Sequence, residues 1–316
     1  MTRPKVFVLA PSNMTVPASG PNGLIGDRVH QTPTIAALLE EHRDLLLWPD
    51  DVVTRAFFSR PGIHFVAGRT AAEVVRALEG QGVEEIFALY SPVDSTSPDR
   101  EADVEILRVA EAIARGLSGA RLHQPSAIDP LGETAVWRQL WDSFPRRTDW
   151  KPLPWLQPAE KDVAWARDAL AGAFPSWTPG DPFTILSPFS GSPKKAVPDS
   201  WWQEFIRLQS HLPIVIPIYG DAEREKARLL FGGTSALIIE ADLGQTMAFA
   251  SLPKSEVIGI DGGRLNVLAA SRKSKVYAFY GIWPASAWAL PNTESLPLNS
   301  HPEKIIERIL KLQTNL

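Results

Sequence analysis

The stretch 256–283 restricts the fold more than any other part of the chain. An apolar run, Val257-Ile258-Gly259-Ile260, is followed by Asp261-Gly262-Gly263, a helix-like segment Arg264 to Ser271, and a β-rich run, Val276-Tyr277-Ala278-Phe279-Tyr280-Gly281. This is the letter pattern of a βαβ unit, whose two strands lie parallel because a helical crossover joins them. The two glycines stand where a strand hands over to a helix, so backbone N–H groups and the helix dipole converge on a spot open to a phosphate. Plain turn chemistry accounts for the same letters, with Asp261 capping the helix and the glycines supplying positive φ. The third glycine of a dinucleotide fingerprint and the lysine of a P-loop are both missing, which argues against those two motifs.

Strand and helix patterns alternate along the rest of the chain, which implies α/β layers with largely parallel sheets. In the first half strands are expected at 5–10, 44–48 and 86–90, and helices at 32–41, 71–79, 100–116 and 133–144. Residues 146–158 hold three prolines and no apolar periodicity, the composition of an interdomain linker. Beyond it strands are expected at 183–186, 213–218 and 236–240, and helices at 161–174, 201–210, 221–230, 245–251 and 302–312. Two Rossmann-like domains follow, residues 1–157 and 158–316, with a ligand expected in a cleft between them at the carboxyl ends of strands. The closing helix has the option of packing back on the N-terminal domain.

Composition removes several function classes. There is no cysteine, so disulfides, thiolate metal sites and thiol nucleophiles are out, and the six histidines lack ligand-like spacing. No protein-bound metal is expected. The net charge is −4, and residues 1–157 carry 16 Lys+Arg against 20 Asp+Glu, the remainder 16 against 16. Neither half offers the basic field that nucleic-acid binding needs. No apolar run reaches the length of a membrane-spanning helix and the N-terminal segment is too short for a signal peptide, so a cytoplasmic protein is expected. Peripheral contact with the inner face of the membrane stays open.

Two further segments can carry chemistry. In the first, Gly26 directly before Asp27 allows a tight turn and pushes the carboxylate outward, while Thr32-Pro33 makes an N-cap and first-position pair for the following helix. The plainer reading is that Asp27 ends a surface loop. In the second, the apolar run ending at Leu186-Ser187 leads into a small-residue loop through Ser190 and Gly191 to Lys194-Lys195, and Pro198 opens the next helix. Lysines there would reach a diphosphate held at the Gly262-Gly263 turn, although a Lys-Lys pair in a loop is usually solvated surface.

Taken in order, these segments resemble glycosyltransferase family nine, the ADP-heptose:lipopolysaccharide heptosyltransferases and their relatives. Ile25-Gly26-Asp27 with Thr32-Pro33 matches the family's first motif, and Lys195-Ala196-Val197-Pro198 its second, with valine for tryptophan. Asp261-Gly262-Gly263, Ala269-Ala270 and Phe279-Tyr280-Gly281 with Pro284 stand in the places of its third. The resemblance spans nearly the whole chain. It implies a GT-B fold, two Rossmann-like domains facing each other across a cleft, with the acceptor held mainly by the N-terminal domain and the nucleotide-sugar by the C-terminal one. Transfer would be inverting and metal-independent, with no cofactor beyond the donor substrate, an ADP-heptose in the best-known members.

Site residues follow by the same resemblance. Asp27 would be the base that deprotonates the acceptor, and Lys195 would neutralise charge on the leaving diphosphate. Lys194, Ser190, Gly191, Asp261, Gly262, Gly263 and Asn266 would bind the donor. Two positions depart from the family: Gly262 replaces a threonine or serine and Asn266 a histidine. These departures keep a non-catalytic nucleotide-sugar-binding relative as the alternative; a nucleotide-sugar epimerase on a similar two-domain fold is a more distant one that would need further acid/base residues. The residues 11–22 form an extra Ser/Pro/Gly-rich stretch before Gly26. The acidic first half suits a neutral glycan, lipid-linked or protein acceptor better than a strongly anionic one. Trp201, Trp202, Trp283 and Trp288 are candidates for stacking on a base or sugar, with core packing favoured for Trp202.

Overall fold

The computed structural model of the chain describes residues 5–9, 25–42, 44–50, 52–59, 61–89, 100–125, 129, 131–144, 156–190, 195–281 and 284–313. The chain divides into two compact units, Met1–Pro152 with Ser286–Trp288, and Leu153–Ala285 with Ala289–Leu316. The first therefore ends five residues before the sequence-expected limit, and it takes in three residues from far down the chain. The extra stretch 11–22, most of the proline-rich linker, Gly191, Lys194 and Trp283 lie outside the described residues.

The first unit runs β1 (Lys5–Leu9), α1 (Ile25–His42), β2 (Leu45–Trp48), α2 (Val52–Phe58), β3 (Ile63–Phe65), α3 (Ala71–Leu78), β4 (Val83–Ala88), α4 (Arg100–Gly116), β5 (Arg121–His123) and α5 (Val136–Asp142). Its five strands are all parallel in the order β3-β2-β1-β4-β5. Phe7, Leu9, Ile86 and Ala88 on the sheet pack against Val74 and Leu78 of α3 and Ala110 and Ile113 of α4. Full burial of one such large apolar side chain stabilises by about 1.5–3 kcal/mol, so this layer dominates the unit's energetics. A capping box ties the start of α3, with Thr70 accepting from the Glu73 N–H and Glu73 from the Thr70 N–H.

One expectation fails here. Thr32-Pro33 does not open the first helix, because α1 begins seven residues earlier at Ile25 and carries Pro33 inside it. Its first turns are polar, so apolar periodicity gave no signal, and proline at an interior position reads like a start. Asp27 consequently sits in the first turn of a helix and not in a loop.

The second unit runs α6 (Glu160–Ala173), β6 (Phe183–Ser187), α7 (Asp199–Leu208), β7 (Ile214–Ile218), α8 (Gly220–Phe231), β8 (Leu237–Glu240), α9 (Leu243–Ser251), β9 (Ser255–Ile260), α10 (Gly263–Ala270), β10 (Lys275–Phe279), β11 (Thr293–Leu296) and α12 (Pro302–Gln313); the short helix α11 (Ala285–Trp288) falls between β10 and β11 in sequence but belongs, from Ser286 on, to the first unit. Six parallel strands take the order β11-β10-β9-β6-β7-β8, so the chain fills one side from β6 outward and then returns to β9 on the other side. Trp202, Phe205 and Ile206 of α7 and Ile305 and Ile306 of α12 close over Ile216, Ile258, Tyr277 and Phe279. The described part of the closing helix thus contributes to the second unit's core. Gly259 is required by close approach: a Cβ there would stand 2.7 Å from the Ser187 Cβ, 2.8 Å from its carbonyl oxygen and 2.7 Å from Leu265 Cδ1.

Candidate functional site

In an open parallel sheet the crevice for ligand lies beyond the carboxyl ends of the strands where the winding reverses. In the second unit that point falls between β6 and β9. The segments the sequence singled out leave these two strands: Lys195 follows β6 and Asp261 follows β9. The structure brings them together. Lys195 Nζ donates to Asp261 Oδ2 at 2.6 Å, with side chains 14% and 5% exposed. A charged pair so enclosed is held in a lower dielectric than a surface pair and keeps its geometry.

Asp261 is fixed from the other side as well, its backbone N–H donating to the Phe279 carbonyl at 2.9 Å. Gly262 then caps α10 with an extended backbone, φ 174° and ψ 172°. The turn therefore does not need positive φ, which corrects the expectation made for these glycines. A Cβ at 262 would meet nothing nearer than the Ile260 carbonyl at 3.7 Å, so the missing hydroxyl is not imposed by packing. The first N–H groups of α10 have no intrahelical acceptor and lie beside the Lys195–Asp261 pair, as an anion would require. Asn266, one turn on, is buried.

Sequence reasoning missed a second charged pair at this edge. Arg264, in the first turn of α10, donates from Nη1 to the Pro217 carbonyl at 2.6 Å and meets Glu223 Oε2 at 2.6 Å. Glu223 also accepts from the Tyr219 N–H at 2.8 Å, and Gly220 takes φ +76° to start α8. The ends of β7 and β9 are thereby bridged through side chains 13% and 18% exposed. An arginine after Asp-Gly-Gly was readable in the sequence; its partner 41 positions earlier was not. Tyr280 completes the edge, its phenol raised well above the usual range by burial and then by the negative charge of Asp261.

Of the other expected residues, Ser190 is half-buried beside Phe189, whose ring carries Lys226 Nζ at 5.6 Å. Gly191 and Lys194 fall outside the described residues. Trp201 and Trp202 are core side chains: Trp201 stacks on Phe205 at 5.4 Å and donates from its indole to the Ser300 carbonyl at 2.7 Å. No group of three or more His, Asp or Glu suited to a metal ion occurs among the described residues. None of the described helices is long and apolar enough to cross a membrane.

In the first unit the winding reverses between β1 and β4. Gln31 of α1 donates to the Leu89 carbonyl at 3.1 Å, just past the end of β4, and the Leu89 N–H donates to the Leu9 carbonyl at 2.7 Å at the end of β1. Asp27 lies one helical turn, about 6 Å, before Gln31, which puts its backbone beyond the carboxyl edge at the switch point. Its side chain lies outside the described residues. His30, a further residue missed from sequence, is fully buried, and burial holds its imidazole down at about 4.

No family model matches the sequence, and no curated protein matches it. Solved structures do. A glycosyl transferase family 9 structure from Veillonella parvula DSM 2008 superposes with a TM-score of 0.72 at 13% identity, covering 99% of this chain and 98% of that one. The E. coli ADP-heptose lps heptosyltransferase II gives 0.64 at 14% identity, over 99% and 100%. The E. coli heptosyltransferase WaaC with ADP gives 0.63 at 12%, over 97% and 99%. Agreement over whole chains at such identities shows a shared fold, the two-domain α/β GT-B fold.

Proposed function

We propose that this protein is a glycosyltransferase that moves a sugar from a nucleoside-diphospho-sugar to a glycan, lipid-linked or protein acceptor, with inversion and without a metal ion. The observation that carries the reading is the Lys195–Asp261 pair beside the open start of α10, at the switch point of the second unit's sheet. A diphosphate seated there would find the Lys195 ammonium and the N–H groups of Gly262 and Gly263. Ser190, Gly191, Lys194 and Asn266 complete the proposed donor set. The nucleotides named with the heptosyltransferase structures, ADP in one and an ADP-heptose substrate in the other, support a nucleoside diphosphate as the leaving group.

In the proposed step the acceptor oxygen attacks the anomeric carbon while Asp27 takes its proton. The bond from that carbon to the diphosphate breaks, and its electron pair leaves on the phosphate oxygen. Attack opposite the leaving group inverts the anomeric centre. Lys195 and the α10 N–H groups meet the charge that develops, which is where fixed donors lower a barrier most. Asp261 keeps Lys195 aimed, and Arg264 with Glu223 holds the neighbouring strand end in place.

A thermal-shift panel with ADP-, GDP-, UDP- and dTDP-linked sugars tests the reading. One of them is expected to raise the melting temperature in proportion to the logarithm of its concentration, and Lys195→Ala to erase the shift. Asp27→Ala is expected to keep the shift and lose transfer. A chain indifferent to all four nucleotide classes would overturn the proposal.

A further inference from the structure

The turn between β9 and α10 is poor in side chains for a diphosphate seat. Gly262 and Gly263 bring only backbone to the start of α10, and the next residue, Arg264, is committed to the Pro217 carbonyl and to Glu223. Lys195 supplies a cation, but its charge is already shared with Asp261 at 2.6 Å. A phosphate group presents several strong acceptor oxygens, so a neutral hydroxyl within reach would add a hydrogen bond without adding charge.

Strand parity brings such a hydroxyl to this edge. Successive side chains of a strand point to opposite faces. Ile258 and Ile260 of β9, and Tyr277 and Phe279 of β10, lie in the core closed by α7 and α12. Asp261 and Tyr280, each one position further on, therefore turn to the other face. That face is the one α10 covers, since a Cβ on Gly259 would point at Leu265 of α10. Ile260 and Phe279 are the last pair in register, and the Asp261 N–H donates to the Phe279 carbonyl at 2.9 Å. Asp261 and Tyr280 thus stand side by side on strands about 4.8 Å apart.

The Tyr280 phenol is half-buried, and burial, then the Asp261 charge, raises it well above the usual range. It keeps its proton and remains a donor. No hydrogen bond among the described residues contributes to that shift, so the hydroxyl is held near the carboxylate without being spent on it. The neighbouring turn is open, because a Cβ on Gly262 would meet nothing nearer than the Ile260 carbonyl at 3.7 Å.

We propose that the Tyr280 hydroxyl donates a hydrogen bond to an oxygen of the donor's diphosphate, supplying the side-chain hydroxyl that the Gly262-Gly263 turn lacks. The diphosphate is then held from the ends of three adjacent strands, by Lys195 after β6, the α10 N–H groups after β9 and Tyr280 after β10. No proton is transferred. The hydrogen bond strengthens as the bond to the anomeric carbon breaks and its electron pair settles on the phosphate oxygen. This role rests on the reading of the turn as the diphosphate seat.

Isothermal titration calorimetry of the full chain with ADP, GDP, UDP and dTDP tests it. Tyr280→Phe keeps the ring and removes one oxygen, and is expected to weaken the tightest of the four about tenfold or more, as loss of a hydrogen bond to a charged group does. Adding Gly262→Ser to Tyr280→Phe is expected to recover most of that loss, because a hydroxyl returns from the adjacent open position; a tyrosine with only a packing role would not be rescued there. A crystal structure of the parent chain with the same nucleotide is expected to place Tyr280 Oη within about 3.2 Å of a phosphate oxygen. Unchanged affinity in Tyr280→Phe, a loss that Gly262→Ser does not repair, or a hydroxyl turned away from the phosphates overturns this inference alone. A parent chain that binds none of the four nucleotides overturns the transferase reading and this inference with it.

Discussion

Lys195 and Asp261, 66 positions apart in sequence, share a 2.6 Å ion pair across the point where the second unit's sheet reverses its winding. Each comes from the loop after one of the two central strands, so the pair joins β6 and β9 at their carboxyl ends. A double-mutant cycle with Lys195→Ala and Asp261→Asn is expected to return a coupling of about 1.5–3 kcal/mol in chemical denaturation, the range of a charged hydrogen bond. A coupling near zero would mean that solvent screens the pair.

Gly259 in β9 is expected to be far less replaceable than Gly262 at the start of α10. Gly259→Ala forces a methyl group against the Ser187 carbonyl and Leu265 at under 3 Å and is expected to cost about 1–3 kcal/mol. Gly262→Ala makes only an ordinary van der Waals contact with the Ile260 carbonyl at 3.7 Å and is expected to cost less than about 1 kcal/mol. Urea midpoints of the two variants compare them directly.

The first unit is expected to lose stability in mild acid through His30. Unfolded, the imidazole protonates near 6.5, but the buried ring stays neutral down to about 4. Between these values the unfolded chain binds the extra proton, so stability is full above 6.5 and falls as pH drops, by about 3 kcal/mol across the window. His30→Asn, which cannot titrate, is expected to flatten that part of the stability profile.

Glu256 is expected to act in the opposite sense on the second unit. Its residue is 8% exposed, Oε2 has no hydrogen-bond partner among the described residues, and burial pushes the carboxyl up to about 7 against a weaker opposing pull from Lys275. Between about 4.5 and 7 the folded form holds the proton that the unfolded chain has released. Stability from this group is present below 4.5 and is lost as pH rises through 7, by about 2–3 kcal/mol. Glu256→Gln is expected to gain on the parent at pH 8 and to match it at pH 4.5, measured by denaturant unfolding.

Much of this architecture was legible because parallel strands and their crossovers leave strong local marks. The run from Val257 to Gly281 folds as β9, α10 and β10 just where apolar letters and Asp-Gly-Gly place them. The Lys195–Asp261 contact was not legible in local sequence, where a Lys-Lys pair in a loop usually reads as solvated surface; only the order of the motifs along the chain set Lys195 beside the Asp-Gly-Gly turn. Nor was the start of α1, because its buried face is polar and Pro33 imitates a first turn. The Arg264–Glu223 pair was hidden for a different reason: it depends on β7 and β9 both flanking the central strand β6, and lateral order is not written in local periodicity. Short elements such as β3, β5 and α11, at three or four residues each, fall below any period that could be read.

The three residues Ser286–Trp288 have a consequence at the level of the gene. Ala287 packs with Val136 and Leu140, Ser286 Oγ donates to the Gly132 carbonyl at 3.1 Å, and Trp288 holds His30, yet all three are encoded between β10 and β11. The first unit is thus not the product of one continuous stretch of coding sequence. A recombination event that exchanged everything after codon 152 would swap the second unit and, unavoidably, one wall of the first.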